Sequence, residues 1–153
     1  MIQLFHESDV ESLYQLIQQT IEYSYRGVYP DRAVLFFKNY HSIAAILERS
    51  RNGVILILQK PGTLLATGSL VNNEISGVFV APSYQGCGHG KTIMYELEKL
   101  AQKNGFTEIL SDISLPSRRF YEKLHYQISE ECSFDVGMEE SLKYLKGYKI
   151  LLI

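Results

Sequence analysis

Tryptophan is absent from this chain, cysteine occurs twice and proline four times in 153 residues. Two cysteines, Cys87 and Cys132, are too few for a disulfide framework, which favours a reducing, cytoplasmic setting. Cys132 reads as a small apolar filler, and Cys87 lacks a sequence-evident base that would make it a nucleophile. No apolar run approaches the roughly 18–20 residues of a membrane span. The longest, Val54 to Leu58, reads as a buried strand. Met1 to His6 has neither a basic segment nor a long apolar stretch, so no signal peptide is expected. Fifteen basic against seventeen acidic residues give a formal charge of −2, which offers no electrostatic reason to expect nucleic acid. His6, His41, His89 and His125 show no metal-ligand spacing, so no metal site is expected. Repeats and low-complexity tracts are missing as well.

What is present suits one globular domain spanning residues 1–153, with 46% hydrophobic and 21% charged residues. Ile2 to His6 reads as a strand. Ser8 with Glu11 fits a capping box for a first helix, along which Val10, Leu13, Leu16, Ile17 and Ile21 recur at helical spacing. Tyr23 to Pro30 is aromatic but broken by Gly27 and Pro30, and reads as a loop. Asp31 to Tyr40 is helical, and Ser42 caps a further helix that ends before Gly53. Three strands follow, Val54 to Gln59, Leu64 to Val71 and Glu74 to Ala81. The turn dipeptides Pro61-Gly62 and Asn72-Asn73 pair them as an antiparallel meander.

Gln85-Gly86-Cys87-Gly88-His89-Gly90 carries the most functional information. It lies between the third meander strand and an amphipathic helix, Lys91 to Lys103, with Ile93, Met94, Leu97, Leu100 and Ala101 on one face. A glycine-dense turn there presents backbone N–H groups at a helix N-terminus, where the helix dipole favours a phosphate. The helix stops at Asn104-Gly105. Glu108 to Ser114 is a fifth strand, parallel to the third because a helical crossover joins them. Pro116 to Leu124 reads as a short helix. Strands around Tyr126 to Phe134 and Tyr148 to Ile153 close the chain, with a loop or short helix at Glu139 to Leu145. The apolar run Tyr148 to Ile153 suggests edge pairing in a homodimer.

The run Val78-Phe79-Val80-Ala81-Pro82-Ser83-Tyr84-Gln85-Gly86-Cys87-Gly88-His89-Gly90 resembles the V-x-P-x-Y-Q-G-x-G-x-G signature of the GNAT superfamily of acyl-CoA-dependent N-acyltransferases. Phe120-Tyr121-Glu122-Lys123-Leu124-His125-Tyr126 is similar to that family's F-Y-E-K-L-G-F. The resemblance implies an α+β fold: a mixed, mostly antiparallel sheet of about seven strands with a splayed central parallel pair and helices on both faces. Two departures stand out. Ser114 occupies the place of an asparagine that contacts the cofactor in the family, and His125 replaces a helix-ending glycine.

The resemblance further implies acetyl-CoA as cosubstrate, its pyrophosphate on the N–H groups of Gly86, Cys87, Gly88, His89, Gly90 and Lys91, with Gln85 leading into the turn. The pantetheine arm would run along Val78, Phe79 and Val80, with Ser114 beyond it. A bulge would aim the Val80 N–H at the thioester oxygen. Tyr121 is the implied general acid for the departing thiolate. Glu74 is the candidate base for an acceptor amine, with Asp112 a second one. Tyr121 as a core ring and Glu74 as a solvated turn residue are the plainer alternatives. Arg118-Arg119 are solvated helix charges or contacts to the CoA 3′-phosphate. The tyrosines from Tyr23 to Tyr29 would cover the acceptor pocket or simply pack. The acceptor itself, a small-molecule or a peptide amine, is not legible.

Two other readings compete. Gly86 to Thr92 nearly spells the phosphate-binding loop of NTPases, but Gln85 stands where its first glycine belongs and an antiparallel meander precedes it. A catalytically inactive CoA-binding module of the same fold is the other.

Overall fold

The computed structural model describes residues 1–151. In chain order the elements are β1 (Ile2–Leu4), α1 (Val10–Tyr25), α2 (Asp31–Tyr40), α3 (Ile43–Asn52), β2 (Val54–Lys60), β3 (Thr63–Val71), β4 (Glu74–Val80), α4 (His89–Lys103), β5 (Glu108–Ser114), α5 (Arg118–Lys123), β6 (Gln127–Gly137) and β7 (Glu140–Ile150). One seven-stranded sheet runs β1-β2-β3-β4-β5-β7-β6. Every neighbouring pair is antiparallel except β4 and β5, which are parallel. This is the expected α+β arrangement.

Strand alternation explains how both faces are covered. Ile55 and Ile57 of β2 pack with Leu13, Ile17, Ile21, Val34 and Ile46 from α1, α2 and α3. Leu56 and Leu58 of the same strand face Ile93, Met94, Leu97 and Ala101 of α4 on the other side. A strand buried on both faces has no polar positions to spare, hence the unbroken Val-Ile-Leu-Ile-Leu.

Several local expectations are corrected. Helix α1 is entered through a 3-10 turn at Glu7–Asp9, where the His6 N–H donates to Asp9 Oδ2 at 2.9 Å, rather than through a Ser8 cap. It also continues to Tyr25, because Ile21 and Tyr25 keep the helical stripe buried, so only residues 26–30 form a loop. Ser42 does cap α3, its Oγ accepting from the Ala45 N–H at 3.1 Å. Residues 139–145 are not a loop or helix. They belong to the long β6–β7 hairpin, in which Gly137 pairs with Glu140 across a turn formed by Met138 and Glu139. Both turn residues have positive φ, +55° and +63°, the hairpin-favoured twist without its usual Asn or Gly. Arg32 of α2 clamps that turn, its Nε donating to the Val136 carbonyl at 2.9 Å while its backbone N–H donates to Glu140 Oε1 at 3.1 Å. Strand β7 lies between β5 and β6: Tyr148 is paired on both sides, while Lys149 and Ile150 pair with β5 alone. Residues 152–153 of that run lie outside the described residues. His125 takes φ +71°, as replacement of a helix-ending glycine implies.

Candidate active site

Strands β4 and β5 part. Their register consists of Glu74 opposite Leu110, supported by the Leu110 N–H donating to the Asn73 carbonyl at 3.0 Å. One residue further, the Ser111 hydroxyl donates to the Ile75 carbonyl at 2.9 Å, a side chain standing in for the next rung. On its other edge β4 bulges against β3. Thr67 opposes Phe79 and Ser69 opposes Ser76, so Gly77 and Val78 together face Gly68. Gly77 has φ +62°, which glycine adopts without penalty. The Ala81 N–H donates to the Leu65 carbonyl, so Val80, one residue earlier, turns its backbone groups away from β3 and into the gap. The Val80 carbonyl accepts from Gln85 Nε2 at 3.0 Å.

Two cavities open on this gap. A cleft of about 460 Å³ is lined by Val78, Phe79 and Val80, by Gly86, Gly88 and Lys91 of the glycine turn, and by Phe120 and Lys123 of α5. A cavity of about 280 Å³ is lined by Glu74, Ser76, Gly77, Asp112, Ser114 and Tyr121, under an aromatic roof. They share Tyr25, Val78, Phe79 and Ser117, so each is the continuation of the other across β4.

The cleft ends on the N-terminus of α4. Helix α4 starts at Gly88 in the left-handed region, φ +87°, with no side chain capping it, which leaves its first-turn N–H groups free. Added methyl groups at Gly86 and Gly88 would meet nothing within 4 Å; both glycines are dictated by their positive φ and border open space. Gly90 has another reason. A Cβ there would lie 2.9 Å from the Phe120 ring, so its hydrogen lets α5 close against α4. CoA therefore fits the residues present: free N–H groups at a dipole-positive helix end, a nearby lysine and an apolar strand edge.

The expected site residues divide between the two cavities. Val78, Phe79, Val80, Gln85, Gly86, Gly88, His89, Gly90 and Lys91 line the cleft. Gln85 spends its amide on Val80 and on Ser24 Oγ, at 3.3 Å, so it braces the turn. Cys87 is exposed and its side chain is not part of the cleft wall. Ser114 faces the smaller cavity instead, with its Oγ 3.0 Å from Ser117 Oγ. Tyr121, Glu74 and Asp112 all line that smaller cavity. Arg118 pairs with Glu122 at 3.4 Å and neither Arg118 nor Arg119 lines the cleft, which matches solvated helix charges. Cys132 is half-exposed on β6 beside Glu130, not an apolar filler. Among the described residues no three His, Cys, Asp or Glu side chains gather as a metal site, and no helix is long and apolar enough to cross a membrane.

Tyr121 is buried, its ring set edge-on against Phe120 and Tyr126 with centroids 5.3 Å away in each case. Burial pushes its phenol up to about 12, against a smaller opposing effect of Ser111, so it holds its proton at neutral pH. Glu74 moves up from the ordinary carboxylate range, first by desolvation and then by the charge of Asp112, with Lys146 opposing. His41, buried beneath the aromatic roof, is pushed down to about 3 by burial and by the charge of Arg49, and is a neutral imidazole.

Sequence reasoning missed the roof. Phe36, Phe37 and Tyr40 come from α2 and His41 follows it directly, Phe134 comes from β6, and Leu142 and Tyr144 from β7. Phe36 stacks on Tyr40 at 6.1 Å and meets Phe134 edge-on at 4.9 Å. The closely spaced aromatics Phe36, Phe37 and Tyr40 of α2 were the available signal. Of the three tyrosines Tyr23, Tyr25 and Tyr29, Tyr25 alone lines the two cavities. The Tyr29 hydroxyl is structural, donating to the Lys143 carbonyl at 2.7 Å and accepting from the Leu115 N–H at 2.9 Å.

A family model described as the acetyltransferase (GNAT) family matches residues 10–126. The chain belongs to the GNAT acetyltransferase family. A segment of 63 residues is 35% identical to a glucosamine 6-phosphate N-acetyltransferase of Trypanosoma brucei brucei, covering 41% of this chain and 43% of that relative. The match thus spans less than half the length of the curated relative. A GCN5-related N-acetyltransferase structure from Rhodopseudomonas palustris superposes with a TM-score of 0.87 at 22% identity, over 99% of this chain and 95% of that one. A PaiA N-acetyltransferase from Thermoplasma acidophilum, solved with coenzyme A, superposes at 0.78 and 19% identity over 98% of each chain. At these identities the solved structures establish the fold.

Proposed function

We propose that this GNAT domain is an N-acetyltransferase that moves an acetyl group from acetyl-CoA to a primary amine by direct attack on the thioester. The observation that carries the reading is the parted β4–β5 pair, from which one cavity runs to the free N–H groups of α4 and the other to Tyr121. The family membership and a fold neighbour solved with coenzyme A support it.

In this reading Gly86 to Lys91 hold the diphosphate and the gap-facing backbone of Val78 to Val80 receives the pantetheine amides. The thioester supplies an activated acyl carbon. The Val80 N–H, unpaired toward β3, is the donor for the oxygen on which negative charge develops. Glu74, with its proton affinity raised, takes the proton of the incoming ammonium directly or through water, and Asp112 beside it sustains that affinity. Tyr121, a phenol at about 12 and so protonated, gives its proton to the leaving thiolate and regains one, directly or through water, from the nitrogen that becomes the amide.

The test is thiol release from acetyl-CoA across a panel of amines, with the acetylated product identified by mass. Turnover with an amine supports the transferase. Tight acetyl-CoA binding with no turnover on small-molecule or peptide amines overturns it in favour of an inactive CoA-binding module.

A further inference from the structure

Among the described residues two buried side-chain atoms lack a hydrogen-bond partner, His41 Nδ1 and Arg49 Nε. They flank the same stretch of the acceptor cavity's wall, although Arg49 itself does not line the cavity. His41 lines it, and Arg49, from the neighbouring α3, lies over the β4 bulge: a Cβ on Gly77 would come within 3.2 Å of Arg49 Nη2. Gly77 is itself part of the cavity wall. No carboxylate among the described residues pairs with Arg49; the ion pairs involve Arg26, Lys38, Lys99, Arg118 and Lys149. The adjacent Ser69 hydroxyl forms no hydrogen bond with Arg49 and instead donates to the Ser76 carbonyl at 2.7 Å.

A half-buried guanidinium without a counter-ion is costly, and unsatisfied buried donors in a folded chain call for an explanation. Glu74 and Asp112 line the cavity yet neither forms an ion pair with Arg49. The cavity therefore presents carboxylates suited to an amine, and against its Gly77 wall lies a guanidinium without an anionic partner.

We infer that the acceptor amine carries an anionic group, a carboxylate or a phosphate, which Arg49 binds at the Gly77 bulge with His41 beside it. This rests on the transferase reading above and narrows its substrate class. A planar guanidinium takes either anion bidentately, so the chemistry shared by the two is what the site specifies. The aromatic roof of Phe36, Tyr40 and Phe134 would pack on the body of the molecule between amine and anion.

The experiment uses matched amine pairs with and without the charge: phenethylamine and phenylalanine for carboxylate, glucosamine and glucosamine 6-phosphate for phosphate. Wild type, Arg49→Gln and Arg49→Lys are compared by thiol release and, independently of turnover, by thermal shift of the CoA-loaded protein. The expected result is a higher kcat/KM for the anionic member of at least one pair, expressed in KM. In Arg49→Gln that preference falls by roughly ten- to a hundredfold, the range of a charge-assisted hydrogen bond, and Arg49→Lys keeps part of it. Which pair responds distinguishes carboxylate from phosphate. Equal or better use of the neutral members, or a preference unmoved by Arg49→Gln, overturns the inference while leaving the transferase standing. Absence of turnover with every amine removes the transferase reading alone; anionic amines that then shift the melting midpoint no more than their neutral partners overturn the inference too. Should Arg49→Gln fail to fold, the wild-type preference and Arg49→Lys decide.

Discussion

Glu74 and Leu110 stand opposite one another as the register pair that joins β4 to β5, and from there toward Val80 the strands diverge. The gap opens at the residue proposed as base and is bridged once, by Ser111, before it reaches Tyr121. Four expectations follow from this geometry.

Replacing Tyr121 by phenylalanine keeps the ring between Phe120 and Tyr126 and removes only the hydroxyl. We expect kcat to fall by about 10²-fold, at the lower end of what a general acid contributes. Calorimetric affinity for CoA and the melting midpoint should stay close to wild type. An unchanged kcat would remove Tyr121 from the chemistry.

The pH profile tests Glu74. Its carboxyl is raised by desolvation and by Asp112, so the deprotonated, basic form is lost at a higher pH than for an ordinary carboxylate. Activity, read as kcat/KM against pH, should therefore decline on the acid side above the ordinary carboxylate range. Asp112→Asn removes a neighbouring negative charge and should move that limb to lower pH. Glu74→Gln should abolish the limb and lower the plateau. A limb that ignores both substitutions would assign the base to another group or to water.

Gly88→Ala probes the cleft without a steric clash, since open space surrounds the added methyl. The cost is conformational, about 1–2 kcal/mol for an L-residue held in the left-handed region. Relief of that strain would disturb the first turn of α4, so weaker CoA binding should accompany the lower stability, measured by denaturant unfolding and calorimetry.

Gly90→Ala separates packing from ligand contact. Its methyl meets the Phe120 ring at 2.9 Å, and overpacking of this kind costs about 1–3 kcal/mol. Pairing it with Phe120→Leu should recover stability in a double-mutant cycle. Additive losses would show that the two residues do not press on one another.

The glycine turn, the meander and the Phe-Tyr helix were legible because each is a local pattern with a physical cause. Positive φ at Gly86 and Gly88, the Asn72-Asn73 turn with Asn72 at φ +54°, and the α4 stripe all act within a dozen residues. The β6–β7 turn was not legible, because Met138 and Glu139 carry no turn chemistry of their own. Arg32, more than a hundred positions earlier, braces the chain on either side of them. The acceptor cavity was hidden for the same reason, its walls being drawn from α2, β4, β5, β6 and β7.

By itself the sequence determined the strand-turn-helix with its free helix N-terminus, since backbone conformation and helix polarity are set by neighbouring residues. Tertiary structure alone decided where β4 and β5 separate, which strand became the edge, and which charges near the smaller cavity were left without partners. Those outcomes depend on side chains meeting across long stretches of chain, where burial and register, rather than local preference, govern the free energy.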